Sequence, residues 1–545
     1  MEIRLFSFNH HRAFGRSARR RSAACVLAIA LGLSILLEIP ALGQAIDRTQ
    51  APNRANEGIG KTLAQQIGAG RGDIFTPGSS LFTIGRDPFR AIRRGRQLFQ
   101  RKFTREQGQG SPGAARSGDI NVNVAVGAGL SDSCTGCHGR PRGAAGHGGN
   151  VVTWPDSRDA PHLFGLGLRE MLADEISSEL RALRAQAIDE ARSSGATVTR
   201  ALAGKGIQYG SISARPDGSV DTARVQGVDP DLRVRPFFHH GGTISIREFI
   251  AGALQNEMGL QAADADLMRA SRGGRITTPS GLVLDGSLDT VEAPPTDSPG
   301  ADPDGDGVAG EAPAALLDYI EFYLLNYFTP ATYQQTSATR SGRIAFEQTG
   351  CAACHVPDFQ IDRDRRVVDV ETVYDPARGI FNSLFATATP SHGRTDDGRG
   401  LPALKRPRLG PFPVRNIFTD FKRHDLGPGF YEHHYDGTLR KEHMTPALWG
   451  VGSSAPYGHD GRSINLTEVI VRHGGEAQAS RDAFVRLSPE ARGALLDFLD
   501  SLVLFPPDDT ASNLDPGDRN ASGFPQVEHG GISLTGLFDD PTDIE

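Results

Sequence analysis

Cys134-Thr135-Gly136-Cys137-His138 and Cys351-Ala352-Ala353-Cys354-His355 are the two stretches on which the reading of this chain turns. Each is C-x-x-C-H, the attachment signature of a c-type haem. Two cysteines three residues apart can each form a thioether to one edge of a porphyrin. The adjacent histidine can then bring a ring nitrogen to the iron. The competing readings are a zinc site and a redox disulfide. A zinc site pairs one C-x-x-C with a second, or with H-x3–5-H, at a defined interval. Here the whole of residues 139–350 intervenes, and each pair carries its own abutting histidine. A redox pair would not need that histidine twice. The two motifs use every cysteine except Cys25, and the chain reads as a di-haem cytochrome with two covalently bound haem c groups.

Outward from the motifs the sequence repeats itself. Gly95-Arg96-Gln97-Leu98-Phe99 is similar to Gly342-Arg343-Ile344-Ala345-Phe346, just ahead of each motif. Pro236-Phe237-Phe238-His239-His240-Gly241 is similar to Pro456-Tyr457-Gly458-His459-Asp460-Gly461, and Ala315–Ile320 to Ala494–Leu499. Matching pairs in one order predict two domains, each opening and closing with a helix. Ile92, Gly95, Leu98 and Phe99 share a helical face over Asp87–Phe103, and Ser488-Pro489-Glu490 starts the last helix with N-cap and first-turn signals. Gly165–Ser193 reads as a long amphipathic helix, 194–232 as an inserted loop or small hairpin, and 46–90 as a surface wrap without sustained period. The expected fold is mainly α: two tandem cytochrome c-like domains with long loops, one c-type haem each.

Length 545, 38% apolar content, Gly 65 and Pro 34 describe a multi-domain, loop-rich globular protein. The amino terminus reads as a leader: Arg12, Arg16, Arg19, Arg20 and Arg21, then the apolar run Ala23–Leu37, then small residues for cleavage near Gly43 or Ala45. An uncleaved single-span anchor is the alternative, since that run is borderline in length. Cleavage predicts export to a periplasm, loss of Cys25, and no stable membrane span after processing. It also removes six arginines and two glutamates, which moves the formal charge from −7 to about −11. Such a surface argues against nucleic acid and suits a basic redox partner. The expected layout is a signal peptide over 1–43, an extension over 44–89, domain 1 over 90–330, domain 2 over 335–505 and a loose tail over 506–545.

Phe421-Lys422-Arg423-His424-Asp425-Leu426-Gly427 and Thr445–Glu476, with Leu448-Trp449-Gly450 and Ala455-Pro456-Tyr457-Gly458-His459-Asp460-Gly461-Arg462 inside it, carry a resemblance. They resemble the di-haem oxidoreductases related to bacterial di-haem cytochrome c peroxidase and to the di-haem enzyme of methylamine utilisation. The resemblance covers about Arg90 to Phe505. It implies a distal ligand to the electron-transfer haem fourteen residues after His459, which is His473; bis-histidine ligation lowers that haem's potential relative to His/Met. A histidine at a helix end beside two glycines is otherwise a surface residue. It implies a reactive haem in the first repeat, held by His138, with Glu257 of Asn256-Glu257-Met258-Gly259 as the distal acid/base. Heterolytic O–O cleavage needs such a group, because one oxygen must lose a proton and the other gain one. The resemblance thus implies a peroxidase supplied with electrons by a small carrier of cytochrome c or cupredoxin type.

The chain also departs from that pattern. His239 stands where the relatives have an inter-haem tryptophan, and Phe249 where they have a glutamine. Trp154 and Trp449 are other relay candidates or plain core residues; His147 and His162 are loosely placed candidates for a detachable ligand. Met258 either caps the first iron or fills the core. Asp302, Asp304 and Asp306 alternate as the opening of a calcium loop does, but Pro313 occupies the closing position. A plain acidic turn is the alternative to Ca2+. His433, His434 and His443 cluster in sequence without metal-site spacing. A non-catalytic electron-transfer protein and an oxygenase or partner-protein oxidase stand beside the peroxidase reading.

Overall fold

The computed structural model describes residues 61–110, 131–139, 145–146, 150–151, 158–327, 331–332, 336–367, 369–374, 384–389, 393–394, 405–406, 410–434 and 438–503. All of them fall in the compact unit Ala45–Glu545. The unit Met1–Gln44, and with it the expected leader, lies outside the described residues, as do His147, Trp154 and the tail 506–545. Among the described residues no helix is long and apolar enough to cross a membrane.

Helix α1, Pro88–Gln100, starts where its sequence allows. The Asp87 carboxylate accepts from Arg90 N at 3.1 Å, and Pro88 fills the first turn, where no N–H is needed. Ile92, Leu98 and Phe99 are buried, and a phenylalanine buried to this degree contributes about 1.5–3 kcal/mol. Gly95 lies where α1 crosses α2, Ala314–Leu325; a Cβ there would run into the Tyr319 carbonyl and the Tyr323 side chain. Every residue of α2 from Ala315 to Leu325 is buried.

The second repeat has the same crossing. Helix α3, Ser337–Gln348, opens with a capping box between Thr336 and Thr339. Helix α4, Pro489–Asp500, is capped by Ser488, which accepts from Ala491 N at 3.2 Å. Gly342 rests on the Ala494 carbonyl and Phe498. The two glycines therefore pair Tyr319 with Ala494 and Tyr323 with Phe498. This corrects the register read from the similar stretches Ala315–Ile320 and Ala494–Leu499 by one helical turn. Leucine and aromatic residues recur around this buried helix, so alignments four residues apart look alike in sequence.

The long helix α5, Leu166–Ser194, is bounded by Gly165 and Gly195 in the left-handed region. Leu168, Leu172, Ile176 and Leu180 are buried beneath an antiparallel meander of β1 (Val198–Gly204), β2 (Ile207–Ala214) and β3 (Val220–Asp221). The stretch expected as a loop or small hairpin is this three-stranded sheet. Trp449, 3% exposed, packs in the same core and donates its Nε1–H to Arg415 O. The extension expected as a wrap contains two short helices, Leu63–Ile67 and Ser80–Arg86. Helices of five and seven residues are too short to print a period in the sequence.

A buried ion cluster ties the first repeat together. Arg247 is fully buried and donates to Asp264, Asp318 and Glu321 at 2.5, 2.7 and 2.9 Å. Ser80 Oγ reaches the same Asp318 from the extension.

Candidate active site

The first motif forms one helical turn, Cys134–His138, which sets both sulfurs on one face. Both are free thiols, and burial pushes Cys134 up to about 12. His138 Nδ1 lies 2.8 Å from Pro161 O. As the N–H there donates to the carbonyl, Nε2 keeps its lone pair. In the second motif Cys351 and Cys354 are likewise free, and His355 Nδ1 donates to Phe418 O at 3.0 Å. A backbone carbonyl on the far nitrogen is the usual device for fixing the tautomer and ring plane of a metal-binding histidine. Burial, with His473 nearby, holds His355 down at about 4, so both of its lone-pair electrons stay available at neutral pH. Two thiols and one lone-pair nitrogen in each motif fit a haem c group at each.

His473 closes the helix Leu466–Arg472 (α7 below; Ile246–Ala253 is α6). Its Nδ1 donates to Val469 O at 2.7 Å, one turn back, which again leaves Nε2 with the lone pair. The ring is half-buried against Phe430, with centroids 5.1 Å apart. It is close enough to His355 to depress that ring's basicity.

His424, inside the family-like stretch but given no role from sequence, stands beside the second motif. It bonds Asp420 and Glu476, each at 2.8 Å, and Cys354 lies within reach of its ring. Burial pulls its basicity down, but these partners outweigh that and raise it to about 11. An imidazolium is thus held beside Cys354. Only the fold could show it, because Cys354 lies seventy residues away in sequence.

Glu257 follows α6. The chain loosens there into a π-helical turn, Leu254–Met258, a distortion common at functional sites, and Gly259 ends it at φ 72. The turn sends two neighbours in different directions. Met258 is 3% exposed and joins the first apolar core. Glu257 is half-buried near Cys137, whose thiol it helps to push up. Burial, only partly opposed by Arg158, raises the Glu257 carboxyl to about 7.

The repeat is visible here in three dimensions. The bridge between Phe237 and Thr243 recurs between Tyr457 and Ser463, and α6 recurs as α7, each 220 residues on (237 to 457, 243 to 463, 246 to 466). Ser245 and Asn465 cap the two helices at equivalent positions. The same interval pairs His239 with His459, whose rings stack at 4.8 Å. It also pairs His473 with Ala253.

The other sequence candidates separate. His162 Nε2 is engaged with Trp449 O. Phe249 packs on Phe237 and Phe238. His443 sits with neither His433 nor His434; it joins His239 and His459. Asp302, Asp304 and Asp306 converge with Glu311, which the sequence reading missed. Glu311 is 3% exposed, one of its oxygens has no hydrogen-bond partner, and burial, reinforced by the three aspartates, raises it to about 8.

Residues 379–502 match the family model described as "Di-haem oxidoreductase, putative peroxidase". The matched segment begins after the second C-x-x-C-H motif and contains His424, His443, His459 and His473. Over that segment the chain is similar to this family of di-haem oxidoreductases. Two solved structures are similar at low identity. A MauG-like protein associated with microbial copper homeostasis is 15% identical, covering 62% of this chain and 89% of that one, with a TM-score of 0.24. Hydrazine synthase of Kuenenia stuttgartiensis is 16% identical, covering 34% of this chain and 55% of that one, with a TM-score of 0.21. The present chain thus spans about half the length of that hydrazine synthase chain. No curated protein matches the chain.

Proposed function

We propose that the protein is a peroxidase: an exported, periplasmic di-haem enzyme of two cytochrome c-like domains that reduces hydrogen peroxide or a similar peroxide. The observation that carries this reading is the desolvated carboxyl of Glu257 beside the first motif, combined with Ala253 at the position that answers to His473. Cys134 and Cys137 would hold one haem and Cys351 and Cys354 the other, with His138 and His355 on the irons through Nε2. When bound, the haems supply the redox-active iron and the electron storage. His473 would be the second protein ligand at the second site, whereas the methyl group of Ala253, at the equivalent position, could not ligate and would leave room for substrate at the first. Glu257, with its carboxyl near 7, could take a proton from one peroxide oxygen and return it to the other. Met258, packed in the core, leaves the first site open. The electrons would come from a small carrier of cytochrome c or cupredoxin type, drawn to the acidic surface. The carboxylates of Asp302, Asp304, Asp306 and Glu311 would hold Ca2+, whose charge compensates their mutual repulsion.

Low-temperature EPR of the isolated protein, before and after half-reduction, tests the reading. One high-spin and one low-spin ferric signal are expected, and His473→Ala should convert the low-spin signal to high-spin. Low-spin signals alone in both states would mean that both irons are capped, and the protein would then be an electron carrier.

A further inference from the structure

Three histidines that no haem motif uses meet where the two repeats touch. His239 comes from the first repeat, and His443 and His459 from the second. One ring nitrogen of each lies within 4.8 Å of the others. Ring centroids are 5.4 Å apart for His239 and His443, 4.8 Å for His239 and His459, and 4.5 Å for His443 and His459. Around a tetrahedral ion with metal–nitrogen bonds of about 2.0–2.1 Å, imidazole centroids stand about 5 Å apart. Their nitrogens, within 4.8 Å of one another, would close to about 3.3 Å around such an ion.

Packing alone is a poor account of this cluster. His443 is 5% exposed, and neither ring nitrogen makes a hydrogen bond; the Phe430 backbone stands near it without bonding geometry. Buried polar atoms are almost always satisfied, so an orphan imidazole facing two others asks for a cation. His239 is oriented as metal-binding histidines are. Its Nε2–H donates to Glu432 Oε2 at 2.6 Å, which leaves Nδ1 as the lone-pair nitrogen. Glu432 is 1% exposed in its side chain and is itself held by Arg158 and Arg440. A buried carboxylate behind the histidine raises its strength as a donor. Strand β4, Arg423–Asp425, pairs with β5, Glu442–Met444, with His424 opposite His443, and Met444 N donates to His239 O. The backbone thus clamps the ligands from both repeats. Burial lowers the basicity of all three imidazoles, helped at His239 by Arg158 and Arg440, and by neighbouring rings at His443, which falls to about 4, and at His459, which falls to about 3.

We infer that His239, His443 and His459 bind a divalent transition-metal ion of the zinc–copper class, which joins the two repeats. Three imidazoles without thiolate suit such ions, whereas the hard cations Ca2+ and Mg2+ prefer oxygen donors. None of the three histidines belongs to a C-x-x-C-H motif or to the acidic cluster around Asp304.

Zn2+ is the probe, because it is redox-inert and leaves the haem signals undisturbed. Chelator-treated holoprotein is dialysed against graded Zn2+ and analysed for zinc and iron. The expected result is one high-affinity Zn2+ per chain beyond the two irons, weakened more than about 100-fold in both His443→Ala and His459→Ala. Glu432→Gln, which keeps an acceptor for His239 but removes the negative charge behind it, should weaken it about 10–100-fold. His433→Ala, at an exposed neighbour outside the cluster, should change nothing. High-affinity zinc that survives both alanine variants, or none in the wild type, would overturn the inference. If the alanine variants lose haem or fail to fold, anomalous scattering from wild-type crystals soaked in Zn2+ decides instead. A peak among the three rings supports the site, and its absence removes it.

Discussion

Glu257→Gln keeps the shape of the side chain and removes its titratable proton. Burial raises the Glu257 carboxyl from its ordinary value to about 7, and Arg158 only partly offsets this. Below that value the group is neutral and can only donate; above it the group is ionised and can accept the peroxide proton. The ionised fraction goes from about one in eleven at pH 6 to about ten in eleven at pH 8, as a single titration centred near 7 requires. The second-order rate of the resting holoprotein with hydrogen peroxide should therefore rise about tenfold across that interval and level off above it. Loss of a general acid–base typically costs about 10²–10⁴-fold, so Glu257→Gln should be slower by that order at pH 8. It should also be flat with pH. Stopped-flow absorbance of the Soret band reads the rate, and a haem assay on the same sample checks that loading is unchanged. A fully loaded Glu257→Gln protein with the wild-type rate and pH limb would refute the role of this carboxyl.

Two further tests concern the scaffold. Arg247→Ala should destabilise the protein by about 3–5 kcal/mol in urea denaturation, since it strands Asp264, Asp318 and Glu321 without their shared cation; a loss below about 1 kcal/mol would mean the carboxylates share protons instead. Gly342→Ala should destabilise by about 1–3 kcal/mol, because its Cβ would overlap the Ala494 carbonyl. Gly493→Ala, in the same helix pair but facing open space, should stabilise by about 0.4–1 kcal/mol in the same assay.

How far residues alone could lead depended on the range of the interaction. The C-x-x-C-H motifs place their groups within one helical turn, so local geometry follows from spacing and both were legible at once. The helix starts at Asp87 and Ser488 were equally local, each a side-chain cap within three residues of the N–H it satisfies. Met258 and Glu257 were the harder case. Regular helical spacing cannot say which of two neighbours faces a site, and a π turn shifts both. The alignment of α2 with α4 was missed by a turn, because leucine and aromatic residues recur around α2 and look alike every four residues.

What the sequence by itself determined was the pair of C-x-x-C-H motifs, the recurrence of similar stretches and the helices ahead of the first motif and at Ser488. These depend on contacts a few residues long or on similarity between two copies. The tertiary structure alone decided which distant groups share a space: His424 with Cys354, Glu257 with Cys137, Glu311 with the three aspartates, and His239 with His443 and His459. Burial supplied the rest, because a carboxyl reaches about 7, or an imidazole falls to about 3, only once the fold has taken it out of water.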